Sequence, residues 1–184
     1  DFKKKAANSK ELISIGSAGN GSSQHLALEL LALRMGIKLN HIPYKGSGPA
    51  LNDVVGGQVD TMMDQLTASI SHIRNGTIIP IAQTGKTRSP LLPNVPTFGE
   101  LGIKDFEMVT YTGIFGPAGI PQPVLDKLTD ALKKTLTRPE VKERFEGLGV
   151  DIITVDRATF QNDVNKDFAN SQAIGKAANI VINE

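Results

Sequence analysis

Short apolar runs and stripes at helical spacing alternate along the first half of the chain. Residues 12–15 predict a short strand that runs into a glycine loop, Gly16-Ser17-Ala18-Gly19-Asn20-Gly21. Beyond it Leu26, Leu30 and Leu33 recur at helical spacing as far as Met35, with Ser22 or Ser23 placed to cap the start and Gly36 to close the end. The pattern then repeats. Residues 37–44 predict a strand, and 47–55 a short helix with Pro49 in its first turn and Gly56-Gly57 past its end. Residues 59–63 predict a strand, 66–74 a helix and 78–83 a strand. Alternation with short links predicts an α/β fold whose parallel sheet is covered on both faces.

The second half reads differently. Residues 85–97 contain Pro90, Pro93 and Pro96 and predict a loop, whereas 106–115 are rich in strand-forming residues. Residues 121–136 predict a helix with the stripe Val124, Leu125, Leu128, Leu132 and Leu136. Asp126 sits early in it and Lys133-Lys134 late, as the helix dipole favours. Pro139 starts a further helix carrying Val141 and Phe145, and Gly147 ends it. Residues 150–155 predict a strand, Phe160, Val164 and Phe168 stripe a last helix, and 180–182 predict a final strand. The basic stretch 1–9 reads as the tail of a helix.

Composition narrows the function classes. A chain of 184 residues, 40% hydrophobic and 21% charged, forms a core and is neither disordered nor collagen-like. With 20 basic and 19 acidic residues, bulk positive charge cannot drive nucleic-acid binding. The absence of cysteine excludes disulfides, thiolate nucleophiles and Cys-based metal sites. The longest uncharged window, 108–125, holds Gly113, Gly116, Gly119, Pro117, Pro121 and Pro123 and is no membrane helix. Residues 1–92 carry 10 basic and 6 acidic side chains, so an anion prefers the first half.

The segment with the clearest chemistry is strand, GSAGNGSS, then helix. The first helical turn leaves backbone N–H groups unpaired at a partially positive end, glycines admit a ligand close to the backbone, and serines add donors. The loop therefore suits a phosphate or carboxylate; the alternative is a plain turn with a serine cap. A dinucleotide fingerprint fits poorly, because Gln24 stands where Gly19-Asn20-Gly21-Ser22-Ser23 should be followed by glycine or alanine. Gly85-Lys86-Thr87 imitates a P-loop end, but Pro80 occupies the required glycine position. No G-x-S-x-G motif is present, and His25, His41 and His72 have no partner at metal-ligand spacing, so no catalytic residue, metal or cofactor is expected. His25, one turn into the helix, is expected to bond a loop carbonyl; His41 and His72 are expected to be structural. Tyr44, in Pro43-Tyr44-Lys45-Gly46-Ser47-Gly48, and Asp64, in Met62-Met63-Asp64-Gln65, end the next two strands on the same rim. Asp64 either meets a ligand ammonium or, the expected role, caps the following helix.

Several of these segments, taken in order, resemble one family. IGSAGNGSSQHLA, IPYKGSGPALNDVVGGQVD, the Asp64-Gln65 strand end, HIRNG, RSPLLPNVPTFGELG and TGIFGPAGIPQPVLDKL are similar to the Bug family of solute-binding proteins of tripartite tricarboxylate transporters. The resemblance runs from about residue 1 to 180 and implies a periplasmic binding protein of type II, a Venus flytrap of two α/β lobes. It implies non-catalytic capture of a small organic acid, periplasmic location (with no signal peptide in this chain) and membrane subunits as partners. The family's ligand loop maps onto Ser17, Ala18, Gly19, Gly21, Ser22 and Ser23, with His25 just behind. Tyr44 and Asp64 complete the expected ligand-binding set.

The same resemblance implies that 1–112 is the second lobe and 113–184 the C-terminal part of the first, whose N-terminal half is missing. The apolar stripes of 113–184 then lack partners, and a domain-swapped or fragment-complemented dimer is one way to cover them. Tyr111 stands where many relatives carry Trp. Two other functions remain open on the residues alone: an α/β enzyme holding a phosphorylated substrate at the glycine loop, and a ligand-sensing module.

Overall fold

The computed structural model describes residues 12–180. The expected basic helix tail at 1–9 and most of the expected strand at 180–182 lie outside them. Among the described residues nine elements follow one another: β1 (Ser14–Ser17), α1 (Ser23–Met35), β2 (Asn40–Pro43), α2 (Ser47–Val55), β3 (Thr61–Met62), α3 (Leu66–Arg74), α4 (Gln122–Leu136), α5 (Pro139–Gly147) and α6 (Arg157–Ala177).

The three strands form one parallel sheet in the order β2-β1-β3. Ile15 stands opposite His41 and Thr61, and Gly16 opposite Ile42 and Met62. Side chains alternate between faces of a strand. Ile13 and Ile15 accordingly join Leu28 of α1 in the hydrophobic core, with Leu39 packed against it. Gly16 turns to the other face, where an added Cβ would lie 3.5 Å from Ala50 of α2. Helices thus cover both faces, as the alternation predicts. At the strand starts Ser14 holds β3 in place, because its N–H and hydroxyl both donate to Asp60 Oδ2 while the Asp60 N–H donates to Ser14 Oγ.

Helix α1 buries a different stripe from the expected one. Gln24, Ala27, Leu28 and Leu31 are inside, whereas Leu33 is half exposed and Leu26 and Leu30 are intermediate. Gln24, Leu28 and Leu31 share one helical face. Polar bonds made by Gln24, described below, turn that face inward. Ser22 caps the helix by accepting the His25 N–H, and Gly36, at φ 64°, closes it.

Three expected strands do not form. In 78–83, Ile79 and Ile81 point outward at 86% and 55% exposure, and Pro80 offers no N–H to a ladder. Only Gln83 pairs, as an isolated parallel bridge to Thr97. Its side chain pins the proline-rich loop by donating to the Leu92 and Val95 carbonyls and accepting the Ser89 N–H. Residues 106–115 and 150–155 are extended but unpaired, and Ile114, Phe115 and Ile153 are largely exposed. Strand propensity supplies no partner strand, and among the described residues none is adjacent. Helices α4 to α6 bury no residue fully. Helix α6 touches α1 and receives Tyr111 and Phe115 against Phe160.

Candidate functional site

The carboxyl ends of β1, β2 and β3 bring the glycine loop, the Tyr44–Ser47 turn and Asp64 to one rim. Parallel strands force this, because the connection that follows each one leaves from the same end of the sheet. The Tyr44 N–H donates to the Ser17 carbonyl and the Gly46 N–H to the Ala18 carbonyl, so the first two connections lie against each other. Gly19, at φ 133°, lets the loop run close to Tyr44; a Cβ there would sit 3.0 Å from the Tyr44 carbonyl oxygen.

Much of the loop is held from inside. Ser17 is buried, its Oγ accepting the Gly19 N–H and lying 2.6 Å from His41 Nε2. The Ala18 N–H donates to Gln24 Oε1, the Gly21 N–H to His25 Nδ1, and the Ser22 N–H to the Gly19 carbonyl. Ser22 Oγ also donates to the Gly19 carbonyl. Three backbone donors remain. Among the described residues, the N–H groups of Asn20, Ser23 and Gln24 have no acceptor, and the Ser23 hydroxyl makes no bond. They stand at the positive end of α1.

His25 accepts a loop N–H rather than bonding a loop carbonyl as expected. Its Nδ1 is therefore unprotonated, and Nε2 faces Glu29 at 3.6 Å. Burial lowers the His25 pKa from its ordinary value, against a smaller upward pull from Glu29. The His25 ring stacks on His41. Burial, and then the neighbouring imidazole, push His41 down to about 4. Both rings are thus neutral at pH 7. His72 lies apart, bonded to Thr77.

The Tyr44 hydroxyl donates to Asp53 Oδ2 at 2.6 Å. That bond, followed by burial and the Asp53 charge, raises the phenol pKa to about 12. Asp64 does not cap α3: the N-cap is Gln65, which makes no side-chain cap bond. Instead Asp64 Oδ1 accepts from Gln24 Nε2 and Ser47 Oγ, and Oδ2 accepts from Ser69 Oγ. The donors already on both oxygens explain why it leaves the helix end alone.

Gln24, Ser47, Ser69 and Asp53 are the bonding partners of Ala18, Asp64 and Tyr44 that the sequence alone does not single out. Gln24 carried one signal, as the polar residue that spoils the dinucleotide fingerprint. The described residues contain no group of three or more His, Asp or Glu side chains able to hold a metal. No helix among them is long and apolar enough to cross a membrane.

A model of the tripartite tricarboxylate transporter family receptor matches residues 3–180. A curated protein of Agrobacterium vitis, encoded in the TAR-I ttuE-ttuC' intergenic region, is 40% identical over 147 residues, 80% of this chain and 42% of its own length. Protein BugT of Bordetella pertussis is 36% identical over 129 residues, 70% of this chain and 40% of its own. Among solved structures, the periplasmic binding protein BugD superposes with a TM-score of 0.88 at 34% identity, over 97% of this chain and 60% of that one. A protein of R. palustris solved with adipate gives 0.89 at 26% identity, over 98% of this chain and 60% of that one. MatC of Rhodopseudomonas palustris, with bound malate, gives 0.85 at 27% identity, over 94% and 60%. This chain spans about two fifths of the length of these two curated relatives.

Proposed function

The chain belongs to the tripartite tricarboxylate transporter receptor family, and from that premise we propose that it captures a small carboxylate outside the cytoplasm for the membrane subunits of such a transporter. The family is one of transporter receptors and its solved relative BugD is a periplasmic binding protein, so the enzyme reading is set aside. The observation that carries the proposal is the trio of unpaired N–H groups at Asn20, Ser23 and Gln24, on a glycine loop at a helix N-terminus. A carboxylate is a fitting acceptor for such a trio. Relatives solved with adipate and malate support the ligand class.

Within the site, Gly19, Gly21, Ser22 and Ser23 present the loop to the ligand, with Ala18 at its base. Ser17 and His25 support it from behind, and Tyr44 and Asp64 steady the adjoining turns. The lobe division at residue 112 belongs to the same proposal. Helices α1 to α3 each bury residues, while α4 to α6 bury none, which fits a second group of elements that packs elsewhere.

A hydrogen bond to a charged group contributes roughly 1.5–3 kcal/mol and the helix end about 0.3–1 kcal/mol. Ordering and desolvation reduce that sum. One rim acting alone is expected to bind in the millimolar to micromolar range. A thermal-shift screen of malate, adipate and citrate against ATP and NAD tests the reading. Carboxylates raising Tm while nucleotides do not is the expected result; a response to nucleotides alone would restore the phosphorylated-substrate alternative. Co-purification with a multi-span membrane protein tests the transporter partnership.

A further inference from the structure

Gln24 is 6% exposed and every polar atom of its side chain is engaged. Its Oε1 accepts the Ala18 N–H at 3.1 Å, and its Nε2 donates to Ser47 Oγ at 3.0 Å and Asp64 Oδ1 at 3.1 Å. Ala18 and Asp64 lie in the connections that follow β1 and β3, and Ser47 opens α2 at the end of the connection that follows β2. One amide therefore meets all three. Its orientation is set by chemistry: reversed, the amide would place its carbonyl against the Asp64 carboxylate and its NH2 against the Ala18 N–H. Asp64 is itself fixed by Ser47 at 2.7 Å and Ser69 at 2.6 Å.

We propose that Gln24 is the positioning residue of the rim: read through its amide, Asp64 sets where the Ala18 N–H, and with it the ligand loop, stands relative to the other two connections. Asp64 acts through Gln24 and does not meet the ligand. The effect on affinity rests on the proposed carboxylate site; the effect on the loop does not.

The test exchanges donor and acceptor across the pair. In Gln24→Glu the Ala18 N–H keeps an acceptor, but a second carboxylate faces Asp64. In the double variant Gln24→Glu/Asp64→Asn, the asparagine amide donates to the glutamate and the net charge equals that of the original chain. Amide exchange at Ala18 is followed by NMR, malate and adipate binding by calorimetry, and Tm as the check on folding. Gln24→Glu is expected to speed Ala18 exchange by roughly tenfold or more, the loss of one charge-assisted bond, and to weaken both ligands similarly. The double variant is expected to recover both.

If Gln24→Leu leaves Ala18 exchange and ligand affinity unchanged, the proposal falls. It falls equally if Gln24→Glu and the double variant behave alike; should Gln24→Glu fail to fold, this comparison is made between Asp64→Asn and the double variant. Recovery of the Ala18 amide in a chain that binds neither malate nor adipate upholds the positioning role and overturns only the carboxylate reading. Ligand binding indifferent to Gln24 does the reverse.

Discussion

His25 and His41 lie face to face beside the glycine loop, ring centroids 3.9 Å apart and planes 18° from parallel. One ring accepts the Gly21 N–H and the other meets the buried Ser17 hydroxyl, so the loop is built on two neutral imidazoles. The folded pKa values of both are depressed, His41 to about 4. The unfolded chain therefore binds more protons below its ordinary value of about 6.5. Stability contributed by the pair is complete above that pH and is lost as pH falls toward about 4. Glu29 opposes the loss at His25, whereas the His25 imidazole adds to the loss at His41. Thermal unfolding followed between these limits is expected to show a steeper fall in Tm than His41→Gln shows. Equal slopes would mean that the pair does not titrate as described.

Gly19→Ala is expected to cost about 1–3 kcal/mol, the range for a residue forced into disfavoured backbone space. Its φ of 133° is a glycine conformation, and the 3.0 Å approach to the Tyr44 carbonyl involves backbone that cannot swing aside. Denaturant unfolding reads the loss, and carboxylate affinity should drop with it.

The orientation of α1 has a direct mutational signature. Leu28 is fully buried, so Leu28→Ala is expected to cost about 2–5 kcal/mol. Leu33, half exposed, should cost about 0.5 kcal/mol or less on the same change. Similar losses at both positions, in urea titrations, would restore the stripe that spacing alone suggests.

Ser22→Ala removes the cap of α1 and the bond to the Gly19 carbonyl together. The expected loss is about 0.5–2 kcal/mol. A stability unchanged by the substitution would show that neither bond matters in solution.

The order of elements from β1 to α3 was legible because strand runs and helical stripes there are each bounded by glycine or a cap. The glycine loop was legible as a strand-to-helix connection for the same reason, since its glycines and serines interrupt the apolar pattern. The strands expected at 78–83, 106–115 and 150–155 show the limit. Alternating apolar residues report that a segment tolerates burial, and only a neighbouring strand makes it a ladder. Tertiary bonds were also out of reach: Gln24 and Asp64 are 40 residues apart, and neither position carries a mark of the other. The orientation of α1 failed with them, because a polar anchor, not the leucine spacing, selects its inner face.

The central place of β1 has a consequence for how the sheet is assembled. Its neighbours come later in the chain: β2 returns to it over α1, and β3 only after α1, β2 and α2. The β1–β2 pairing closes the shorter loop and carries the smaller entropic penalty of the two. A chain growing from its N-terminus is expected to dock each new strand onto β1 as it appears. The glycine loop exists as soon as β1 and α1 do, yet the carboxylate that orients Gln24 arrives only with residue 64. Maturation of the rim therefore trails formation of the first strand pair.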